Sequence, residues 1–289
     1  LSALQATVYY AIKALLDPQL MPNHGMFEAI DITAPEGTIT NPRFPAAVGA
    51  RSITCQKIAG AIFGAFRGLL PKEKVYASGN DLLPGIVFSG VQKSGRDTFV
   101  YLEAVGGGSG AGFNTDGMDA VHVHVTNSSN LPVEALENEY PLRIIAYELV
   151  EDSGGAGRQR GGLGIAREVM ALQDDTVFTA RSDSHLFGAA GVFGGLDGGK
   201  ARLIFHSADG ASTELASKTA NLVLKAGESV RLETPGGAGY GAPRERSIEQ
   251  LARDLRGGKV SRAQAEVDYG ADRMAQALAT SQRSSPSVS

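Results

Sequence analysis

Hydrophobic residues at the start of the chain recur at helical spacing. Between residues 1 and 16 they fall three or four positions apart, and Asp17-Pro18 ends the pattern because proline disfavours the helical conformation of the residue before it. A second helix is expected to begin near Ser52 or Thr54, whose hydroxyls suit an N-cap, and to reach Pro71. Both segments carry an apolar face, which predicts packing against a core.

Further along the chain, apolar and polar residues alternate as they do in half-buried strands, and glycine-rich turns separate the segments. The segments with this character are 26–32, 85–90, 97–105, 121–125, 142–149, 163–171, 175–181, 201–206, 220–224 and 229–234, with a short helix from Val133. We therefore predict an α+β fold with a mixed or antiparallel β-rich core, glycine-rich loops and flanking helices.

The composition changes after residue 245. Leucine and valine at helical spacing among charged residues predict a helical appendage over 246–280, interrupted at Gly257-Gly258, on an α+β portion that covers 1–245. The last segment, 281–289, is short and polar and is predicted to be disordered.

The stretch from Gly106 to Asn127 holds the strongest candidate chemistry. Glycines at 106, 107, 108, 110 and 112 allow positive φ and a close approach of backbone N–H groups to a ligand, which makes Gly107 and Gly108 candidate ligand contacts, with Asn127 at the far end. The alternating run 121–125 predicts a strand that places His122 and His124 on one face. These histidines and Asp116 are the candidate catalytic residues. The alternative is an irregular connection with satisfied histidines.

Three arginines are candidate anion-binding residues. Arg158 and Arg160 lie in the glycine-rich loop 151–162, whose N–H groups could nest a phosphate or carboxylate. Arg51 precedes the second helix, where the helix N-terminus attracts anions, although a salt bridge would explain it equally well. The loop lacks the GxxxxGK[ST] pattern of a P-loop, so nucleotide binding is not supported.

Composition narrows the class of protein. A net charge of −4 gives no attraction to nucleic acid or to an anionic membrane, and the longest apolar run is too short to span a bilayer, so a cytoplasmic protein is expected. The single cysteine, Cys55, is expected to be a buried, inert thiol. Glu134 and Glu137 share a helix face near the histidines, but no HxxxH or HExxH spacing supports a metal site within the chain.

Four segments together resemble the B component of the ATP-dependent hydantoinases and 5-oxoprolinases. They are APEGTITNPRFPAAVGARSIT (34–54), GGGSGAGFNTDGMDAVHVHVTNSSNLPVEALENEYPLRI (106–144), EDSGGAGRQRGGLGIARE (151–168) and ETPGGAGYG (233–241). The resemblance implies a hydrolase component that completes the opening of a cyclic amide after a partner A subunit has activated the ring with ATP. Related assemblies that carboxylate acetone or acetophenone are the alternative function.

The resemblance also implies what this chain does not carry. Family members have a large amino-terminal part with the His and Asp residues thought to hold a divalent metal, so no metal ligand is assigned here, and the partners expected are that missing half, the A subunit and a small cyclic amide. His122 and His124 would then support a site shared with the missing half. A non-catalytic half that only holds partner subunits, and an independent anion-binding module built on Arg158 and Arg160, remain alternatives.

Overall fold

The computed structural model describes residues 1–283. Its α-helices are α1 (Ser2–Leu16), α2 (His24–Glu28), α3 (Arg51–Phe66), α4 (Val133–Glu139), α5 (Ile248–Arg256), α6 (Arg262–Tyr269) and α7 (Ala271–Arg283). Its strands are β1 (Gly85–Val91), β2 (Thr98–Ala104), β3 (Leu142–Leu149), β4 (Ile165–Ala171), β5 (Thr176–Arg181), β6 (Arg202–His206), β7 (Ser212–Glu214), β8 (Lys218–Leu224) and β9 (Ser229–Glu233). The predicted α+β class is confirmed.

The strands form two antiparallel sheets. One has the order β2-β1-β5-β8 and the other the order β3-β4-β9-β6-β7. Alternation along each strand turns one set of side chains inward, and both sheets contribute to one hydrophobic core that includes Phe88, Phe178, Leu142, Leu203 and Leu232. The buried pair Glu103–Arg167 also crosses this core, because Arg167 of β4 donates two hydrogen bonds of 3.0 Å to the Glu103 carboxylate of β2.

A layer of irregular backbone lies beside the sheets and is built from the glycine-rich segments. Its backbones are so close that a Cβ on Gly162 would lie 1.9 Å from the carbonyl oxygen of Met118, and one on Gly237 would lie 1.8 Å from that of Ser109. The N–H of Gly162 donates to Ser109 and the N–H of Gly237 donates to Gly162. Glycine is required here for close approach, and the glycines at 106–112 do not take the positive φ expected from the sequence.

Two predicted strands are wrong. The segment 26–32 is not a strand, because the Asn23 side chain accepts a hydrogen bond of 3.1 Å from the Met26 N–H and caps α2. The segment 121–125 makes only an isolated bridge between Val121 and Gly107, and His124 has φ 48°, in the left-handed region outside regular strand geometry.

The amino-terminal helices follow the sequence prediction more closely. Helix α1 packs against α3, and Cys55 of α3 is buried with a free thiol, as expected. The start of α3 differs in detail: Ala50 occupies the N-cap and no side chain caps the helix, so neither Ser52 nor Thr54 has the predicted role. Arg51 is the first residue of the helix rather than the residue before it.

Helices α5 to α7 confirm the helical character expected beyond residue 245, with a break at Gly257. They bury their own apolar cluster, which includes Leu251, Ala265 and Ala277 and reaches Ala156 of the glycine-rich layer. Helix α7 continues to Arg283, so 281–283 do not belong to a disordered tail, and the remainder of that predicted tail lies outside the described residues. Whether 245 is a domain boundary stays a prediction.

Candidate active site

A cavity of about 570 Å³ opens between α1, α3, the segment 76–81 and the glycine-rich stretch 109–124. It brings together the three residues that the sequence predicts as catalytic candidates, Asp116, His122 and His124. Its lining includes further polar residues that the sequence did not single out, and three of them bear on its chemistry. They are Tyr10 of α1, Arg67 after α3, and Asp81.

His124 is held between a carboxylate and a phenol. Its Nε2 lies 2.8 Å from Asp81 Oδ1, and its Nδ1 lies 3.3 Å from the Tyr10 hydroxyl. An ionised Asp81 can only accept, which assigns the proton to Nε2 and leaves Nδ1 to accept from the phenol. The three groups form a chain along which a proton can move. Burial, followed by the charge of Asp81, raises the pKa of Tyr10, so the phenol stays protonated and able to donate.

Both members of the Asp81–His124 pair take a strained backbone conformation. Asp81 has φ 38° and His124 has φ 48°, in the left-handed region that residues other than glycine seldom enter. Such conformations cost of order 1–3 kcal/mol each and persist where surrounding contacts impose them, most often at functional sites. Gly60 of α3 permits the approach, because a Cβ there would lie 2.1 Å from Asp81 Oδ2.

Aromatic rings fix the plane of His124. The Phe63 ring lies 5.0 Å from the imidazole and the Tyr10 ring lies 6.0 Å from it, measured between centroids. Gln56 donates a hydrogen bond of 3.4 Å to the His124 carbonyl. These contacts restrain the orientation of the imidazole ring.

His122 lines the same cavity with neither ring nitrogen hydrogen-bonded among the described residues. Burial lowers its pKa, so the ring is neutral near pH 7 and offers one donor and one acceptor to a ligand. His122 therefore differs from His124 in lacking any group that fixes its tautomer.

Asp116 lines the cavity but is already bound. Arg246 donates two hydrogen bonds of 2.8 Å to its two carboxylate oxygens, and the Arg160 N–H donates another of 2.7 Å. Burial alone would raise the pKa of Asp116, but these bonds outweigh it and the pKa lies below its usual range. Asp116 therefore stays ionised and anchors the cavity wall.

The predicted anion-binding residues Arg158 and Arg160 both contact other groups of the protein. Arg160 is buried, with its guanidinium bound to Asp119, Asp254 and the Gly161 carbonyl. Arg158 donates to the Phe113 carbonyl, and its guanidinium lies over the Phe113 ring at 4.8 Å. Internal carboxylates and a carbonyl therefore engage Arg160, whereas Arg158 makes one side-chain hydrogen bond and its Nε is buried without a partner among the described residues.

The remaining predicted ligand contacts lie apart from the cavity. Arg51 is exposed at the start of α3, and Asn127 is exposed beyond the histidines. The N–H groups of Gly107 and Gly108 donate to the carbonyls of Val121 and Pro235, so both are already bonded.

A scan of protein-family models matches the hydantoinase B/oxoprolinase family over residues 1–243. The chain belongs to this family. An archaeal relative from Methanocaldococcus jannaschii is 39% identical over 91% of the chain and 45% of its own length. The putative B component of a D-/L-hydantoinase from a Pseudomonas species is 35% identical over 86% of the chain and 41% of its own length.

Solved structures agree with the family assignment. The crystal structure of the ATP-dependent caprolactamase from Pseudomonas jessenii superposes on 94% of the chain with a TM-score of 0.81 and 25% identity, and the chain covers 50% of that protein. An acetone carboxylase superposes on 97% of the chain with a TM-score of 0.73 at 20% identity, which shows a common fold. This hydantoinase B-like chain thus spans half or less of these relatives.

Neither a metal centre nor a membrane span emerges from the described part of this hydantoinase B-like chain. No group of three or more His, Cys, Asp or Glu residues there could hold a metal ion, so the residues present do not fit the metal that the resemblance implies. Within residues 1–283, no helix is long and apolar enough to cross a membrane.

The residues that sequence reasoning missed lie far from the histidines along the chain. Tyr10 and Asp81 reach His124 across 114 and 43 positions. One local signal pointed to this wall. Four residues lie at intervals of four, three and four along one face of α3 and its C-cap, at Gln56, Gly60, Phe63 and Arg67. A face that only packs against a core would not carry a glutamine and an arginine.

Proposed function

We propose that this chain builds part of the active site of an ATP-dependent cyclic-amide hydrolase, in which the Tyr10–His124–Asp81 chain moves protons during ring opening. The observation that carries the proposal is this hydrogen-bonded chain, on strained backbone, at the wall of the cavity. The family's description and the likeness to a caprolactamase support a cyclic amide as the substrate class.

The chemistry of an activated amide explains why proton transfer matters. A partner subunit would use ATP to phosphorylate the ring carbonyl oxygen, and water would then add to the carbon while a base removes its proton. The resulting adduct can expel phosphate, which restores the amide and wastes ATP, or it can expel the ring nitrogen. A protonated nitrogen leaves far more readily, so an acid placed at the nitrogen directs the adduct toward ring opening.

The side chains at the cavity suit both proton transfers. Tyr10 accepts the proton of the attacking water while its own proton passes to Nδ1 of His124, and the Asp81 carboxylate stabilises the imidazolium that forms. The proton then returns through Tyr10, which acts as the acid for the leaving nitrogen. Expulsion of the nitrogen leaves an acyl phosphate, and its hydrolysis yields the carboxylate and inorganic phosphate. No step in this scheme depends on a metal ion held by the described residues.

The test measures ring opening and phosphate release in one reaction of the complete assembly. His124→Asn and Asp81→Asn should each reduce ring opening by about 10²- to 10⁴-fold, and Tyr10→Phe should raise the phosphate released per ring opened. His24→Gln is the matched control, because His24 is exposed on α2 away from the cavity. Unchanged ring opening in His124→Asn would favour the alternative that this chain only holds partner subunits.

A further inference from the structure

The cavity contains a cation that has no counter-ion. Arg67 lines it, and no other Lys or Arg of the described chain does so. The two carboxylates at the cavity are already engaged, Asp81 with His124 and Asp116 with Arg246. No carboxylate of the described residues lies within 4.0 Å of the Arg67 guanidinium, so its charge is uncompensated there.

The hydrogen bonds of Arg67 leave room for a ligand. One terminal nitrogen donates to the Ser78 hydroxyl oxygen at 2.6 Å, and the Nε is buried without a partner among the described residues. A guanidinium has five N–H donors in a planar fork that matches carboxylate and phosphate oxygens. A buried donor without an acceptor is costly, so an oxyanion at this position would satisfy it.

Helix α3 directs Arg67 toward the reactive groups. Arg67 follows Phe63 by four residues and Gly60 by seven, which places all three on one face of the helical turn. Phe63 packs against the His124 ring, and Gly60 admits Asp81. The guanidinium therefore lies at the same cavity as the proposed acid–base chain.

Backbone donors lie in the same wall. Gly79 and Gly110 both line the cavity, and neither N–H donates to an acceptor within the described chain. A Cβ on Gly79 would lie 3.4 Å from the Gly110 nitrogen, so the two glycines are neighbours in the cavity wall. Ser78 precedes Gly79 and connects this segment to Arg67.

We propose that Arg67, with the Ser78 hydroxyl and the N–H groups of Gly79 and Gly110, binds an oxyanion of the substrate. The oxyanion is either a carboxylate carried by the ring or the phosphoryl group of the activated ring, and both present the same recognition chemistry. The identity of the substrate rests on the proposed function, whereas the binding of an anion does not. Arg67 is then a specificity residue that positions the ring against His124.

The first experiment tests anion binding directly. Inorganic phosphate and 5-oxoproline are titrated by calorimetry into the full chain, into Arg67→Gln and into Arg262→Gln, an exposed control on α6. Saturable binding of either probe should weaken by at least about tenfold in Arg67→Gln and should be unchanged in Arg262→Gln. Absence of binding to the unaltered chain, or equal binding by all three proteins, overturns the proposal.

The second experiment separates the two sources of the anion in the complete assembly. 5-Oxoproline carries a carboxylate and caprolactam does not. A rise of about 10- to 100-fold in KM for 5-oxoproline alone in Arg67→Gln assigns the ring carboxylate. A loss of turnover with both substrates, partly restored in Arg67→Lys, assigns the phosphoryl group. Unchanged kinetics with both substrates contradict the anion site.

The two experiments also distinguish the failure of this proposal from the failure of the proposed function. If the unaltered assembly opens neither ring, the cyclic-amide hydrolase is wrong, but Arg67-dependent binding of phosphate in the titration still supports an oxyanion site.

Discussion

The two cavity histidines lie two positions apart in the sequence and have different surroundings. Asp81 and Tyr10 fix both nitrogens of His124, whereas both nitrogens of His122 lack a partner among the described residues. A substitution at His124 should therefore affect chemistry, and one at His122 should affect how stability responds to acid.

We expect His122 to make the protein less stable as the pH falls. Burial lowers the folded-state pKa of His122, so between that pKa and the unfolded value of about 6.5 the unfolded chain binds more protons. Stability therefore decreases as the pH falls from 7.5 to 5. Melting temperatures across this range should fall less steeply in His122→Asn.

His24→Gln is the control for this pH series, because it removes an exposed histidine on α2 that lies outside the cavity. A residual slope is expected in both variants, since burial also lowers the pKa of His185. If the melting temperature changes equally with pH in His122→Asn and in the unaltered protein, protonation of His122 does not destabilise the folded state and the prediction is wrong.

Two glycine-to-alanine substitutions should have opposite effects on stability. A Cβ on Gly110 would lie 1.9 Å from the Ala77 carbonyl oxygen, so Gly110→Ala forces two backbone segments apart and should cost about 3 kcal/mol or more. Gly64 lies inside α3 with nothing within 4 Å of its added Cβ, and Gly64→Ala should stabilise by roughly 0.5–1 kcal/mol. Denaturant unfolding measures both, and a tolerated Gly110→Ala would contradict the packing argument.

At the scale of elements, alternation predicted the sheets because their strands pair over long runs. Strands β1 and β2 pair antiparallel over seven positions, as their inward residues require. The same alternation failed at 121–125, because contacts made by Asp81 and Gln56 with His124 outweigh the pattern. Such contacts join residues more than 40 positions apart, and no local pattern reports them.

The carboxyl-terminal helices are connected to the cavity wall by buried ion pairs. Arg246, just before α5, binds Asp116 of the glycine-rich stretch and Asp254 of α5, while Arg160 binds Asp254 and Asp119. Arg160 and Arg246 are 2% and 1% exposed, which means that each charge depends on its partners for solvation. The sequence analysis predicted Asp116 as catalytic and Arg160 as anion-binding, and no local pattern predicted their pairing with Arg246 and Asp254.

Removing the central arginine should release these helices. Arg246→Met leaves Asp116 and Asp254 without their shared partner, and we expect a loss of about 3–5 kcal/mol in the free energy of unfolding. Hydrogen exchange should show α5 and α7 opening before the sheets. Arg43→Met is the control, because it breaks an exposed pair with Glu36 and should change stability by no more than about 1 kcal/mol.

At the scale of the whole molecule, the class and the family could be predicted, because eight correctly predicted strands and four sequence motifs are each local features. The set of residues that line the cavity could not be predicted from the sequence. Its wall draws on α1, the end of α3, the segment before β1 and the glycine-rich stretch, and only the packing of α1 on α3 brings Tyr10 to His124. Arg51, Asn127 and Arg160 were chosen for their sequence context and lie elsewhere.

We expect the chain to have no ring-opening activity by itself. It covers 45% of the archaeal relative and 41% of the hydantoinase component, and the activation of the ring by ATP is proposed for a partner subunit. ATP-dependent hydrolysis of hydantoin, 5-oxoproline and caprolactam should be absent from the isolated chain and present in the assembly. A cooperative thermal transition would confirm that the isolated chain is folded. Ring opening by the isolated chain would contradict the prediction.

Asp116 couples the cavity to the carboxyl-terminal helices. This carboxylate belongs to the wall of the cavity and to the ion pairs that hold the carboxyl-terminal helices, so the two regions share one group. If a ligand in the cavity makes the attachment of these helices more favourable, detaching the helices must lower the affinity for that ligand by the same factor. Protease sensitivity of α7 would then report on ligand binding in a cavity that no described side chain of α7 lines.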